Sequence, residues 1–180
     1  MIDTFRKEIL KLRNKKYVDK KILRQFINRL GFGKLTLQQN PFNHYCSFFV
    51  PFDLDSKMIF VGHHIKADQW IPPGGHIEQN ESPIKTVYRE FREELNHQLL
   101  NEIIKPFDLS ITTEIRNLTR SCRIHYDFWY LVQIEKKDFN FAKSEFYEMY
   151  WLPIDTAIQK AKRQSIINPL IHLNDNLGAI

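Results

Sequence analysis

Apolar residues recur at helical spacing over residues 3–13 and again over 19–30, where Ile22, Leu23, Phe26, Ile27 and Leu30 fall on one side and Gly31 supplies a stop. Both segments are expected to be amphipathic helices, paired as a hairpin ahead of the main domain. The period then changes. Residues 44–50 and 58–64 are rich in aromatic and β-branched side chains and flank the Asp53–Ser56 turn, which predicts a β-hairpin. Trp70–Pro73 reads as short and extended, since each proline biases its predecessor away from the helical region, and Gly74 and Gly75 allow a tight backbone path. Ser82 is an expected N-cap and Pro83 a first helical residue, so a helix should run from there to Leu95, with Asn96 in the helix-ending place. Residues 122–132 and 147–152 carry strand signals, 155–163 reads as a helix, and 166–173 adds a short helical turn. Strands and helices mix without regular βαβ alternation, so the expected architecture is a mixed sheet flanked by helices.

Composition narrows the class. With 180 residues, 43% of them hydrophobic and 13% aromatic, the chain can bury a full core without metals or disulfides. One main domain is expected over residues 41–180, with residues 1–40 as a helical extension packed on it. Cys46 and Cys122 are the two cysteines and form no close pair in sequence, so neither a disulfide framework nor a cysteine zinc site is suggested, and a reducing, cytoplasmic setting fits. The N-terminus has no apolar secretory region, and no window reaches the ~18 apolar residues of a membrane span, so no membrane partner is expected. The net charge of +5 is uneven: residues 1–34 hold 11 Lys/Arg against 3 Asp/Glu. Such asymmetry can mark contact with nucleic acid, but a solvated basic helix face is the preferred reading, because acids are interspersed and the basic runs are short.

The helix at 83–95 raises a chemical question. At about 100° per residue, Glu90, Glu93 and Glu94 share one side, while Ile84, Val87, Tyr88, Phe91 and Leu95 occupy the other. Like charges at i,i+3 and i,i+4 each cost a few tenths of a kcal/mol, about the size of one helical ion pair. Arg89 can reach Glu93, but one guanidinium cannot neutralise three carboxylates and Glu81 besides. A hard divalent cation can, with the Gly75 carbonyl as a further oxygen ligand. Taken alone, the helix is equally an ordinary charged face; its fixed spacing from the glycine loop decides between the two.

That spacing is G-x5-E-x7-R-E-U-x-E-E, carried by Gly75, Glu81, Arg89, Glu90, the apolar Phe91, Glu93 and Glu94. In it the chain resembles the Nudix box of the Nudix hydrolase superfamily. Asn96 stands where the box has its terminal glycine and His97 where it has an apolar residue; asparagine tolerates positive φ, so the turn is expected to survive. WIPPGGHIE, together with His63 and His64, is also similar to a group of bacterial Nudix proteins that carry an N-terminal helical extension. The similarity covers residues 44–97 well and 121–131 loosely.

The resemblance implies an α/β (α+β) fold, a Nudix-like α/β/α sandwich with a mixed β-sheet behind the helical hairpin. It implies hydrolysis of a nucleoside diphosphate derivative, a nucleoside triphosphate or nucleotide sugar among the options, with Mg2+ or Mn2+ as cofactor. Residue by residue, Gly75, Glu90, Glu93 and Glu94 would bind the metal, Arg89 would orient the carboxylates, and Glu81 and Gly74 would support the box. Glu93, Glu94 and Arg89 are the catalytic candidates, joined by Glu145 as first choice for an additional base or metal-binding glutamate, with Glu148 second. Trp70, His76, Asp127 and Trp129 are the substrate-binding candidates. Strand alternation turns His125, Asp127 and Trp129 one way and Tyr126, Phe128 and Tyr130 the other. Two rival readings exist. Isopentenyl diphosphate isomerases resemble Nudix proteins but use a cysteine near the glycine loop, where this chain has IPPGGHIE; a non-catalytic nucleotide-sensing or RNA-binding module would use the basic hairpin. Ile111 and Thr112 occupy the place where some subfamilies carry a substrate-marking proline or tyrosine, and the oligomeric state stays open, a homodimer included.

Overall fold

Along the strands, alternate side chains point to opposite faces of the sheet, and each face recruits its own helices. The computed structural model describes residues 1–113 and 122–180; Ser121, where the loose similarity begins, lies outside the described residues. The elements run α1 (Ile2–Leu12), α2 (Lys20–Gly31), β1 (Asn43–Asp53), β2 (Met58–His64), β3 (Gln69–Ile71), β4 (Gly74–His76), α3 (Pro83–Leu95), β5 (Ile103–Thr113), β6 (Ile124–Gln133), β7 (Phe146–Pro153), α4 (Ile154–Lys160) and α5 (Gln164–Asn176).

β1 pairs in parallel with β6 from Asn43–Ile124 to Phe52–Gln133, and β6 pairs antiparallel with β5. The expected hairpin of β1 and β2 is present but short: the two strands meet only at Phe52–Ile59 and Asp53–Met58. Beyond that point β4 takes the β1 edge at Cys46–Phe48, while β3 and β7 flank β2. Gly74 makes this approach feasible, with φ of +147° and its Cα so close to Ser47 and Phe48 that any Cβ would strike their backbone. β1 and β2 therefore splay apart, and a cleft opens between them.

One face of the sheet carries Tyr45, Ser47 and Phe49 of β1 beside Tyr126 and Phe128 of β6. The hairpin α1–α2 covers it with Phe5, Ile9, Leu12, Leu23, Phe26 and Leu30, all buried. Phe26 meets Tyr45, Tyr126 and Phe128 edge-on at 5.5, 5.4 and 5.4 Å, and the Tyr45 hydroxyl donates to the Phe26 carbonyl at 2.8 Å. α3 lies on the same face: Phe91 stacks on Phe49 at 5.0 Å, and the Ser47 hydroxyl donates to the Pro83 carbonyl. The opposite face carries His44, Cys46 and Phe48 beside His125, Asp127 and Trp129, then Thr112, Ser110 and Asp108. There α5 docks, its Ser165 hydroxyl 2.9 Å from that of Thr112 and its His172 bonded to Asp108 at 2.7 Å. The fold is an α/β/α sandwich on a mixed sheet.

Three expectations change. Residues 166–173 are the middle of a 13-residue helix rather than a short turn. The helix expected over 155–163 stops at Lys160, because Ala161 is already extended, with ψ of 142°. β5 was not anticipated, although Phe107, Leu109 and Ile111 alternate with Asp108, Ser110 and Thr112; the polar set is buried as well, against α5. Among the described residues, no helix is long and apolar enough to cross a membrane.

Candidate active site

α3 starts and stops as its sequence dictates. The Ser82 side chain accepts from the Lys85 N–H, Pro83 opens the first turn, and Asn96 ends it in the left-handed conformation, with φ of 48° and ψ of 40°. His97 follows inside an aromatic group with Phe91 and Phe139, at 5.8 and 5.7 Å. With Val87, Phe91 and Leu95 fully buried, the helix turns Glu90 and Glu94 inward as well, to 9% and 5% exposure, and leaves Glu93 at the rim.

Arg89 ties this surface to the loop before it. Its Nε and Nη2 donate to the two Glu81 carboxylate oxygens at 2.8 and 3.1 Å, and Nη1 donates to Glu90 at 2.8 Å and Glu93 at 3.0 Å. Nη2 also donates to the His76 carbonyl at 2.9 Å. Glu81 is further held by the Thr86 hydroxyl and the Glu78 N–H. Burial works to raise the Glu81 carboxyl, but these donors outweigh it and hold the group below its ordinary range. The glycines bring the loop within reach: the Gly74 N–H donates to Glu94 at 2.7 Å, and a Cβ on Gly75 would collide with the Glu90 carboxylate.

Charge is not balanced here. Burial raises Glu90 to about 7, with the attraction of Arg89 opposing and the repulsion of Glu93 and Glu81 adding to it. Burial and the neighbouring Glu90 push Glu94 well above the carboxylate range, against the Gly74 hydrogen bond. Two acidic groups that resist ionisation side by side, with Glu93 and the Gly75 segment next to them, could hold a hard divalent cation.

These groups face a cavity of about 450 Å3 whose walls come from β1–β6, α3, the loop before β7 and the start of α5. Of the residues singled out in the sequence, Gly74, Gly75, His76, Glu90, Glu93, Glu94 and Glu145 line it. Glu145 sits across from α3, held by Lys66 at 2.6 Å and with His64 at 3.7 Å. Glu148 is outside the lining and accepts from the Tyr150 hydroxyl instead. Three substrate candidates also fall outside it. Trp70 points away from the cavity, between His63 and Tyr150 with Lys160 over its ring, while its neighbours Gln69 and Ile71 point in. Asp127 is fully buried and bonded to the hydroxyls of Ser110 and Thr112; burial raises it to about 7. Trp129 is fully buried, stacked on Phe48 and donating to Ser110. The cationic Lys66 and Arg163 also line the cavity; each lies in a stretch with no sequence motif to flag it.

Comparison with known proteins supplies the context. The NUDIX domain family matches residues 46–173. A probable DHNTP pyrophosphohydrolase of Lactococcus lactis is 30% identical over 95 residues, which is 52% of this chain and 56% of that protein, so the match spans little more than half of the relative's length. Among solved structures, the E. coli dihydroneopterin triphosphate pyrophosphohydrolase superposes with a TM-score of 0.63 at 14% identity, over 75% of this chain and 96% of that one. A C. elegans Ap4A hydrolase gives 0.62 at 15%, over 76% and 98%. At these identities the likeness to the solved structures is one of fold.

Proposed function

This chain belongs to the NUDIX domain family, and from that premise we propose that it is a pyrophosphohydrolase, cleaving a phosphoanhydride bond in a small nucleotide-type substrate such as a nucleoside triphosphate or nucleotide sugar. The observation that carries the reading is the carboxylate cluster: Glu81, Glu90 and Glu93 gathered on Arg89, and Glu94 on the Gly74 N–H, beside one cavity. Names among the relatives, a probable DHNTP pyrophosphohydrolase and an Ap4A hydrolase, support a polyphosphate substrate. We read residues 41–180 as the hydrolase domain and 1–40 as its cover, in a cytoplasmic protein.

Glu90, Glu93, Glu94 and the Gly75 carbonyl would hold Mg2+ or Mn2+. Such an ion, when bound, neutralises diphosphate oxygens and lowers the pKa of an attached water. The chain's own residues do the rest. Arg89 keeps three carboxylates oriented through a planar fork that no lysine reproduces. Near neutral pH Glu90 and Glu94 retain proton density that must leave before both serve as anions. Glu145, across the cavity, is the candidate to accept the proton of the attacking water, with Lys66 fixing its orientation. Lys66 and Arg163 supply positive charge for the phosphates of the substrate.

A panel of nucleoside triphosphates, nucleotide sugars and dinucleoside polyphosphates, incubated with Mg2+ or Mn2+ and resolved chromatographically, tests the proposal. Metal-dependent release of a phosphorylated product from one class is expected. No turnover on any of them, combined with no calorimetric uptake of Mn2+, would overturn it.

A further inference from the structure

Four side chains from three strands converge beside the same cavity, next to the Gly75 segment that abuts Glu90. His44 and Cys46 project from the same side of β1; Cys46 stands opposite His76 on β4, and His44 opposite His125 on β6. One nitrogen or sulfur from each of the four lies within 4.8 Å of all the others. The three imidazole rings are 4.8, 4.9 and 5.0 Å apart, centroid to centroid. Cys46, His76 and His125 line the cavity, and His44 is fully buried behind them. His44 Nδ1 is 3.0 Å from the Asn40 carbonyl, which can only accept, so that nitrogen carries the ring proton and Nε2 presents a lone pair. Cys122 Sγ lies 4.0 Å from that Nε2.

We infer that His44, Cys46, His76 and His125 form a binding site for a borderline transition-metal ion, Zn2+ above all, distinct from the carboxylate cluster. Donor chemistry separates the two groups. Imidazole and thiolate select zinc-like ions, whereas carboxylate and carbonyl oxygens select Mg2+ or Mn2+. A tetrahedral ion with bonds of about 2.0 Å to nitrogen and 2.3 Å to sulfur sets its ligand atoms about 3.3–3.7 Å apart. The four donors need to draw in by about 1 Å, which changes of side-chain torsion supply. As the ion enters, the Cys46 S–H bond breaks, its electron pair forms the sulfur–metal bond, and the proton leaves to solvent. Four protein ligands close the coordination sphere, as in structural rather than catalytic zinc sites. The ion would then fasten β4 to β1 and β6, and with it the Gly75–His76 segment that Arg89 grips from the opposite side. The site stands whether or not the chain hydrolyses any substrate.

Cobalt reports on such a site without reference to activity. Full-length protein stripped with a chelator and titrated with Co2+ should develop the visible bands of a four-coordinate centre and a near-ultraviolet thiolate-to-cobalt band, both saturating at one ion per chain and both displaced by Zn2+; cobalt held by the carboxylates adds no thiolate band. Cys46→Ser should remove the thiolate band, and His125→Gln should weaken uptake at least about tenfold. Glu93→Gln should leave both unchanged. Circular dichroism in chelator checks that each variant is folded; His125 is only half-buried, so that variant carries the test if Cys46→Ser does not fold. A wild-type spectrum without the thiolate band would overturn the inference. So would cobalt binding that disappears in Glu93→Gln while persisting in His125→Gln, since the ion would then belong to the carboxylates.

Discussion

The hairpin α1–α2 and the helix α3 cover the same face of the sheet, but of the 11 basic residues in positions 1–34 only Arg29 is buried, whereas α3 carries Glu90 and Glu94 inward together. Arg29 is fully provided for: its guanidinium donates to the carbonyls of Gly33, Lys34 and Asn43 at 2.8, 2.8 and 2.6 Å and lies over the rings of Tyr45 and Tyr126. It closes the chain around the hairpin and needs nothing further. The α3 carboxylates share a single arginine, and burial holds two of them toward their neutral forms. A buried charge with enough partners belongs to the scaffold. In the function proposed above, buried acids left short of positive charge are where a separately arriving cation would bind.

Substitutions sharpen this contrast. The largest effect is expected from Glu93→Gln: as a proposed metal ligand it should lose about 4 kcal/mol of transition-state stabilisation, roughly a thousandfold in turnover, while the metal-free protein stays folded. Loss of folding in that variant would make α3 as structural as the hairpin. Phe26→Ala should act the opposite way, costing about 3–4 kcal/mol of stability in chemical denaturation because it empties the junction of Tyr45, Tyr126 and Phe128. Little change would mean that the hairpin merely leans on the sheet. The same packing argues against removing residues 1–34 outright, since their apolar side is part of the core.

Glu90→Gln tests the electrostatics directly. The folded protein holds the Glu90 proton more tightly than an unfolded chain, about 7 against an ordinary 4.5, so this group favours the fold below pH 4.5 and that contribution is lost as pH rises toward 7. Above pH 7, metal-free Glu90→Gln should be more stable than the parent by up to about 3 kcal/mol, with the difference vanishing below pH 4.5. A pH-independent difference in melting would refute this account. Glu145→Gln should cost turnover about ten- to a hundredfold and Glu148→Gln almost none, because only Glu145 faces the cavity. An equal loss in both would undo the assignment of the base. Smallest of all, neutralising Lys21 and Arg24 on the exposed side of α2 should change stability by less than about 0.5 kcal/mol and leave turnover intact; a large loss of activity would reveal a substrate contact on the hairpin.

What could be read in advance was local. Ser82, Pro83 and Asn96 bound α3 because capping depends on a few neighbouring residues, and Glu90, Glu93 and Glu94 share a side because the helical period is fixed. The loop-to-helix spacing belongs to one continuous stretch of 20 residues, so the carboxylate cluster was legible before any coordinates. Helix α2 and strand β6 were readable for the same reason, through unbroken apolar periodicity. Tertiary structure decided whatever depends on register between distant segments. Nothing local distinguishes Glu145 from Glu148; β7 pairing with β2 and the Lys66 contact direct one toward the cavity and leave the other outside it. Trp129 and Asp127 share a strand face with His125, yet only His125 borders the cavity, because Phe48, Ser110 and Thr112 enclose the other two. Cys46, His44, His76 and His125 carry no spacing that suggests a site. They become neighbours only because β1 is gripped on one edge by β4 and on the other by β6, and strand pairing joins residues by register rather than by their distance along the chain.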